Sequence, residues 1–394
     1  MINHLRKQFN ANFSENHYRT FLNTLEQSCG IKPDFRIAET PVFIDHSFKD
    51  KMIETCENII DFISDDNFKA NTNKSIPNEY NVPDENEKPE MLVFDFGICQ
   101  NSNNELEPQL IEMQGFPSVY GLQVMINDVM HSIYNLPENL NSYLNGYNQS
   151  TYVQLLKDII FSNINPENVI LLEIEPEKQK TKIDFYCLEK LLGIKTICLK
   201  EIISENNDLF YFNNKQKIKI ERIFNRIVFD DLKNYDLSKC IDLKLSYNVE
   251  WCPHPNWFYR ISKYTLPFLD DPHIPKTYFL NEITQPLNLE EYVLKPLFSY
   301  AGMGVKIDVK QEDIDTIPDP ENWTLQQKVK YADVIETPNG NAKAEIRLFY
   351  FWKKEWKRPL AVHNLARLSK GKMIGTRYNE NENWVGGTIA YFEE

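Results

Sequence analysis

One stretch near the middle of the chain restricts the fold more than any other. Residues 169–175 (VILLEIE) form a short apolar run, which is typical of a buried strand. Residues 179–193 (QKTKIDFYCLEKLLG) have apolar residues at helical spacing and end on a glycine, and residues 194–202 (IKTICLKEI) resemble a second strand. This order predicts two parallel strands joined by a crossover helix, and therefore an α/β protein. Because no GxGxxG motif follows the first strand, we expect no dinucleotide site there.

The rest of the chain is divided by its pattern into further segments. We expect a helical and irregular N-terminal region over 1–90, a hairpin-containing segment over 91–150, the strand–helix–strand unit within 151–250, and a strand-rich segment over 251–394. Within the first region, Phe48–Ile63 has helical spacing, and the Asp-, Asn- and Pro-rich stretch that follows reads as a long loop.

The charge and cysteine content limit the class of protein. The formal net charge is −14, from 43 basic and 57 acidic residues, which argues against a nucleic-acid partner or an anionic membrane. Seven cysteines without a CxxC spacing indicate a reducing compartment and no zinc site. Because neither a signal-peptide pattern nor a membrane-length apolar run is visible, we expect a cytoplasmic protein, monomeric or homodimeric.

A lysine at the end of a strand pattern indicates a phosphate site. In Tyr292–Ile307 (YVLKPLFSYAGMGVKI) the strand pattern ends at Lys295, and a turn of small residues and a second strand follow. A buried lysine needs an anion, and small residues let backbone N–H groups approach phosphate oxygens. The small residues of the turn are Ser299, Ala301, Gly302 and Gly304. The alternative is an ordinary hairpin with a structural lysine.

Three later segments add polar groups to strand patterns. Trp323–Tyr331 (WTLQQKVKY) turns polar in its middle, where its backbone could pair with an adenine edge. In the strand pattern AEIRLFYFW, Glu345 and Arg347 share a face because side chains alternate. Arg367 follows, before the pair Gly386-Gly387. Each of these residues also has a purely structural interpretation, as a solvated lysine, a paired acid or a turn former.

The order of these motifs resembles the ATP-grasp superfamily of carboxylate–amine ligases. The matching elements are Lys295, the hinge Gln326–Val329, Glu345-Ile346-Arg347, Ala366-Arg367, Gly386-Gly387 and a second lysine, Lys263, ahead of Pro275-Lys276-Thr277. The resemblance implies that ATP is bound by Lys263, Lys295, Ser299, Ala301, Gly302, Gly304, Gln326, Gln327, Lys328, Val329 and Glu345. It also implies that Arg347 and Arg367 stabilise charge during the reaction.

Members of that family place their magnesium ligands after the glycine pair, but only seven residues remain there. Acidic residues interrupt apolar strand patterns upstream instead, at Asp95 (FDF) and at Glu112 and Gln114 (EMQ). A hairpin can bring such positions to one side of a sheet, and magnesium prefers oxygen ligands. We therefore expect Mg²⁺ at these three residues, although Gln114 replaces the usual asparagine. The alternative is a pair of salt-bridged strand acids.

This arrangement resembles the circularly permuted ATP-grasp proteins, which include glutathionylspermidine synthetase. It implies a permuted ATP-grasp fold with a Rossmann-like preATP-grasp domain and a helical N-terminal region. It also implies an ATP- and Mg²⁺-dependent ligase that joins a carboxylate to an amine or thiol of a small molecule or peptide through an acyl phosphate. Two alternatives stay open, a degenerate protein that binds ATP without ligating, and a non-enzymatic interaction module.

Overall fold

The computed structural model describes residues 1–285, 287–298, 302–371, 374 and 382–394. The α-helices are α1 Asn3–Asn12, α2 Glu15–Cys29, α3 His46–Ile63, α4 Phe68–Thr72, α5 Tyr120–Ile133, α6 Gln149–Phe161, α7 Lys182–Leu192, α8 Asn256–Arg260 and α9 Gln311–Asp315. Short 3₁₀ helices span Asn73–Ser75, Asn78–Tyr80, Pro166–Asn168, Pro176–Lys178, Leu199–Glu201, Phe229–Asn234, Lys263–Phe268, Leu280–Glu282, Leu289–Glu291 and Pro320–Asn322.

The strands are distributed over five small sheets. They are β1 Val42–Ile44, β2 Met91–Gln100, β3 Leu106–Gln114, β4 Leu140–Asn141, β5 Val169–Glu173, β6 Lys195–Cys198, β7 Ile203–Glu205, β8 Asp208–Asn213, β9 Gln216–Ile220, β10 Arg222–Asn225, β11 Glu250–Cys252, β12 Thr277–Phe279, β13 Tyr292–Pro296, β14 Trp323–Gln327, β15 Lys343–Phe351, β16 Leu360–Ser369, β17 Gly386–Thr388 and β18 Ala390–Glu393. The sheet orders are β17-β16-β15-β2-β3, β11-β10-β5-β6, β12-β14-β13, β7-β8-β9 and β1-β18-β4.

The five-stranded sheet joins two segments that are far apart in sequence. The predicted hairpin forms as β2 and β3, and β2 pairs antiparallel with β15, so that Asp95 lies opposite Arg347. One face of the sheet is apolar along its whole length and packs on α3, with Phe94, Ile346 and Met52 in the same core. Because strand side chains alternate between faces, the charged residues of β2, β15 and β16 all project from the other face.

The strand–helix–strand prediction is confirmed. β5 and β6 pair in parallel, α7 connects them, and β10 and β11 extend the sheet on the other side of β5. The helix ends at Gly193, whose φ of 76° is a left-handed conformation that glycine adopts without steric cost. The chain is thus a mixed α/β protein, in which a parallel sheet and an antiparallel sheet occur together.

Two strand predictions in the C-terminal segment are partly wrong, because the observed strands are shorter than expected. The second strand expected after the glycine turn is reduced to a single bridge between Lys306 and Leu294. Gly302 and Gly304 both have φ of 73°, which is incompatible with extended backbone. β14 ends at Gln327 rather than at Tyr331.

The N-terminal region is tied to the end of the chain by backbone pairing. β1 pairs in parallel with β18, and β4 pairs with β18 on its other side. The amide of Gly387 donates to the Arg36 carbonyl at 2.9 Å, and the Ala38 amide donates to the Gly387 carbonyl at 2.8 Å. The division into segments 1–90, 91–150, 151–250 and 251–394 stays a prediction, and these contacts cross it. Over the described ranges, every helix is too short or too polar to cross a bilayer.

We expect Gly386→Ala to destabilise the protein strongly. Gly386 has φ of 121°, and a Cβ atom there would lie 2.3 Å from the carbonyl oxygen of Arg36. Strained backbone and a clash with backbone together cost about 3 kcal/mol or more. Gly340→Ala is the matched control, because Gly340 has φ of 106° but open space around its Cβ position. Urea unfolding should give a much larger loss for Gly386→Ala, and equal losses would contradict the steric argument.

Candidate functional site

Charged side chains converge on one half of the polar face of the five-stranded sheet. Glu345 and Arg347 lie two residues apart on β15 and therefore share a face. The register places Arg347 opposite Asp95 of β2, and Glu345 opposite Arg367 of β16. Three neighbouring strands thus contribute to one cluster of charges, although Asp95 is 252 positions from Arg347 and 272 from Arg367 in the sequence.

Asp95 is held by two arginines. The residue is only 1% exposed. Arg347 donates from Nε to Oδ1 at 2.5 Å and from Nη2 to Oδ2 at 2.6 Å, and Arg367 donates from Nη2 to Oδ2 at 2.6 Å. Burial disfavours the charged carboxylate, but the two guanidinium groups outweigh it and lower the pKa of Asp95. Both carboxylate oxygens are therefore already used by cationic donors.

A β-bulge places Glu112 opposite Asp95. Asp95 pairs with Glu112, whereas the next residue, Phe96, pairs with Leu110, so Ile111 is the extra residue of β3. A bulge leaves its extra residue outside the regular ladder, and here the Ile111 carbonyl accepts a hydrogen bond from Lys295 Nζ at 3.3 Å. The bulge thereby directs a backbone acceptor, as well as the Glu112 side chain, towards the lysine.

The two predicted phosphate lysines lie beside these acids. Lys263 Nζ lies 3.0 Å from Glu112 Oε1. Burial raises the pKa of Glu112, but the charge and the hydrogen bond of Lys263, together with the charge of Arg347, outweigh it, and the net shift is downward. Lys295 also donates to the Gln326 side-chain oxygen. Burial lowers the pKa of Lys295 to about 8; Glu112 opposes this shift and Lys263 reinforces it.

Glu345 completes the cluster. Its Oε2 lies 2.9 Å from Arg367 Nη2, and its Oε1 accepts a hydrogen bond from the Tyr331 hydroxyl at 2.5 Å. Burial raises the pKa of Glu345, and Arg367 acts in the opposite direction. The ion pair of Glu345 is therefore with Arg367 on the neighbouring strand, and not with Arg347 on its own strand.

The cluster carries more positive than negative charge. Its cationic members are Lys263, Lys295, Arg347 and Arg367, and its acidic members are Asp95, Glu112 and Glu345. Among the residues that the structure describes, four cations against three carboxylates leave a local charge of +1, in a chain whose net charge is −14. Burial makes such an excess costly unless an anion is bound. The arrangement is therefore suited to a polyanionic ligand.

The predicted magnesium ligands fit a metal only in part. Glu112 and Gln114 share a face of β3, and Glu112 lies opposite Asp95. Asp95, however, is engaged by two arginines, and the described residues contain no group of three or more Asp, Glu, His or Cys suited to a metal. Magnesium is commonly held by one or two carboxylates together with substrate phosphates. The donor set therefore fits a magnesium ion that arrives with a polyphosphate, and does not fit a separate metal site.

The predicted adenine hinge and glycine turn join the cluster only partly. Gln326 is 3% exposed and contacts Lys295. The amides of Gln327 and Lys328 instead donate to the carbonyls of Lys276 and Glu291, and Lys328 Nζ lies 4.0 Å from Asp308. These two amides are thus already used within the protein.

Other predicted nucleotide residues have no described contact with the cluster. Val329 is half-buried beyond the end of β14. Gly302 and Gly304 lie in the loop after β13, while Ser299 and Ala301 lie outside the described residues.

Two buried arginines outside the cluster, Arg226 and Arg260, have different surroundings. Arg260 is fully engaged, with Glu85 and the backbone of Lys69 among its partners. Arg226 is 5% exposed, donates to the Ser118 carbonyl, and lies 3.7 Å from Asp184. The Ser118 hydroxyl in turn accepts from Arg347 Nη1 at 3.4 Å. Arg226 is therefore linked to the charged cluster through one serine, whereas Arg260 is a structural residue.

Comparisons with known proteins identify the fold. A search against protein-family models finds no match, and no curated protein is similar in sequence. Among solved structures, the apo form of a glutathione synthetase-like effector (GSS30) from Globodera pallida is similar, with a TM-score of 0.59 over 96% of this chain and 98% of that chain. The fold is glutathione synthetase-like. At 11% identity, this likeness concerns the backbone alone, and a glutathione synthetase-like fold does not by itself define a reaction.

Sequence patterns did not identify three contributors to the site. The Ile111 carbonyl reaches Lys295 only because of the bulge, and the Ser118 and Tyr331 hydroxyls contact Arg347 and Glu345 from loops. No local pattern marks a backbone carbonyl or a single loop hydroxyl as functional. Gly97, the glycine after "FDF", was a partial sign in the sequence, because a glycine inside a strand often marks the close approach of another group. In the structure that group is the Tyr331 ring.

Proposed function

We propose that the protein is an ATP- and magnesium-dependent ligase that joins a carboxylate to an amine or a thiol, by way of an acyl phosphate. The observation that carries this proposal is the convergence of Lys263, Lys295, Arg347 and Arg367 on one sheet face. The glutathione synthetase-like fold supports the ligase class. The hairpin β2–β3 precedes β15 in the chain but lies beside it in the sheet, which supports the permuted ATP-grasp arrangement.

The charges of the site suit phosphoryl transfer, which depends mainly on positioning and on charge neutralisation. Lys263 and Lys295 would bind phosphate oxygens of ATP, since Lys263 is buried, Lys295 is half-buried, and both lie beside Glu112. Arg347 and Arg367 would neutralise charge on the transferred phosphoryl group, because a planar guanidinium donates two parallel hydrogen bonds. Asp95 would keep both arginines oriented. Glu112 and Gln114 would hold the magnesium ion, which supplies further charge neutralisation.

The reaction would proceed in two displacements. A carboxylate oxygen of the acid substrate attacks the γ-phosphorus of ATP, the bond to the bridging oxygen breaks, and ADP leaves. The amine nitrogen or the thiol sulfur then attacks the acyl carbon, loses its proton, and phosphate leaves with the electrons of the broken C–O bond. Arg226, linked to Arg347 through Ser118, would bind a carboxylate of the acid substrate.

One observation favours a second candidate, a protein that binds nucleotide without ligating. Asp95 has both oxygens occupied by arginines, and Gln114 stands where the permuted family has asparagine. A third metal ligand would become available only if the arginines released Asp95. Binding of ATP would survive such a defect, because the two lysines do not depend on it.

Two measurements test these candidates, and the second separates them. Thermal unfolding with Mg-ATP should raise the melting temperature in both cases, because a ligand selective for the native state stabilises it. Release of ADP and phosphate that depends on an added acid and amine should occur only in a ligase. Mg²⁺ without nucleotide is the control and should leave the melting temperature unchanged. No shift with Mg-ATP at millimolar concentration would contradict both candidates.

We expect the affinity for Mg-ATP to fall as the pH rises through about 8. Lys295 has a pKa lowered to about 8 by burial, so it is charged below this pH and neutral above it. If only the charged form binds phosphate, the Kd at pH 9 is about tenfold higher than at pH 7. Isothermal titration calorimetry at both pH values measures the change. Lys295→Arg is the control, because arginine stays charged over this range, and an unchanged Kd in the wild-type protein would contradict the prediction.

A further inference from the structure

The Tyr331 side chain is bonded to the charged cluster from outside the central sheet. Its hydroxyl donates to Glu345 Oε1 at 2.5 Å. Burial raises the pKa of Tyr331 well above its usual range, so the hydroxyl stays protonated and remains a donor. The residue follows β14 by four positions and thus continues directly from the hinge segment Gln326–Val329.

The backbone and the ring of Tyr331 are both held by β2. The Gln100 amide donates to the Lys330 carbonyl and the Ala332 amide to the Ile98 carbonyl, each at 2.9 Å. A Cβ atom on Gly97 would lie only 2.6 Å from a ring carbon of Tyr331. The ring therefore occupies the space that a side chain at position 97 would need, two residues from Asp95. Because residue 97 is a glycine, the Tyr331 ring has room to reach Glu345.

A continuous chain of contacts runs from Tyr331 to Asp95. Tyr331 occupies Oε1 of Glu345, Arg367 occupies Oε2 at 2.9 Å, and Arg367 continues to Asp95 at 2.6 Å. The other charged or titratable groups that face Glu345 are Lys295 and Cys99. Because each oxygen of Glu345 has its own donor, the carboxylate has one favoured orientation, and that orientation determines where Arg367 lies.

We propose that Tyr331 is a positioning residue of the site, whose hydroxyl orients Glu345 so that Arg367 is held beside Asp95. This inference rests on the proposed function for its effect on turnover. It also links two parts of the site, because the segment proposed to hold adenine continues into the residue that orients Arg367. Hydrogen-bond partners that orient metal-ligating side chains commonly contribute 10- to 100-fold to activity, and we expect an effect of this size for Tyr331.

Tyr331→Phe tests the proposal. We expect the Kd for Mg-ATP to change less than about threefold and kcat to fall about 10- to 100-fold. Adding Tyr331→Phe to Glu345→Gln should have little further effect on kcat, because the tyrosine acts through the glutamate. Tyr211→Phe is the matched control, since Tyr211 lies on β8 in a different sheet and its hydroxyl donates to the Glu167 carbonyl. Normal kcat in Tyr331→Phe, or additive losses in the double variant, would overturn the proposal.

A second measurement needs no nucleotide and separates this proposal from the proposed function. Tyr331 and Arg367 both contact Glu345, so Tyr331→Phe and Arg367→Met should shift the urea unfolding midpoint non-additively. The same cycle between Tyr211→Phe and Arg367→Met should be additive. If the midpoint shifts are non-additive but the wild-type protein does not bind Mg-ATP, Tyr331 is still a positioning residue, and the proposed function is refuted. Additive shifts would overturn the role of Tyr331 whatever the protein binds.

Discussion

Replacing Lys295 with methionine should weaken binding of Mg-ATP about 100-fold, while the protein remains folded. A charge-assisted hydrogen bond contributes about 1.5–3 kcal/mol, and 2.7 kcal/mol corresponds to about 100-fold in Kd. Lys295 lies beside Lys263 and donates to Ile111 and Gln326, so its ammonium group is fixed in position before ligand binds. Methionine has a similar length and keeps the apolar stem, so only the charge and its hydrogen bonds are lost.

The stability of this variant distinguishes loss of binding from loss of fold. Burial lowers the pKa of Lys295 to about 8, so the native state binds a proton there less tightly than the unfolded chain does. The buried charge therefore costs stability at neutral pH, and Lys295→Met should unfold at the same temperature as the wild type or higher. Lys306→Met is the control, because Lys306 is a half-exposed lysine that bridges to Leu294 of β13 through its backbone and is paired with Asp313. Wild-type affinity in Lys295→Met would remove the basis for the proposed function.

Local patterns in the sequence were sufficient to predict β2 and β15 of the central sheet. The alternating residues of "LVFDFG" and "AEIRLFYF" indicated β2 and β15, because one set packs on α3 and the other includes charged residues. The same alternation correctly placed Glu345 and Arg347 on one face. These predictions succeeded because burial on one side of a strand imposes a period of two on the sequence.

The sequence could not indicate the partners of those charges. Asp95 was predicted as a magnesium ligand, and that role stays a prediction, but in the described structure its oxygens accept from Arg347 and Arg367. The partner of a strand residue depends on the register of the two strands. The register of β2 and β3 shifts at a β-bulge, and no residue type in "QLIEMQG" predicts that bulge. The hinge backbone was likewise predicted to pair with adenine, whereas a loop carbonyl at Lys276 and a 3₁₀-helix carbonyl at Glu291 already accept from two of its amides.

Replacing Glu112 with glutamine should reduce turnover about 1000-fold and change the Kd for Mg-ATP only slightly. Glutamine keeps an oxygen that can accept from Lys263, so the local fold should persist. It loses the negative charge through which Glu112 would hold magnesium, and a bound metal contributes several kcal/mol of charge stabilisation during phosphoryl transfer. The lysines that bind the phosphates remain, and the affinity for nucleotide should therefore be nearly unchanged.

Glu107→Gln is the matched control for this substitution, because Glu107 lies on the same strand and pairs with Gln109 away from the cluster. Steady-state ADP release and calorimetric binding of Mg-ATP, measured on both variants, test the prediction together. Equal turnover in the two variants would show that Glu112 is only a structural partner of Lys263. A wild-type protein that binds Mg-ATP but releases no ADP with any acid and amine would instead favour the non-ligating candidate. In such a protein Asp95 would stay paired with Arg347 and Arg367 when ATP is bound, and the arginines would not release it to bind magnesium.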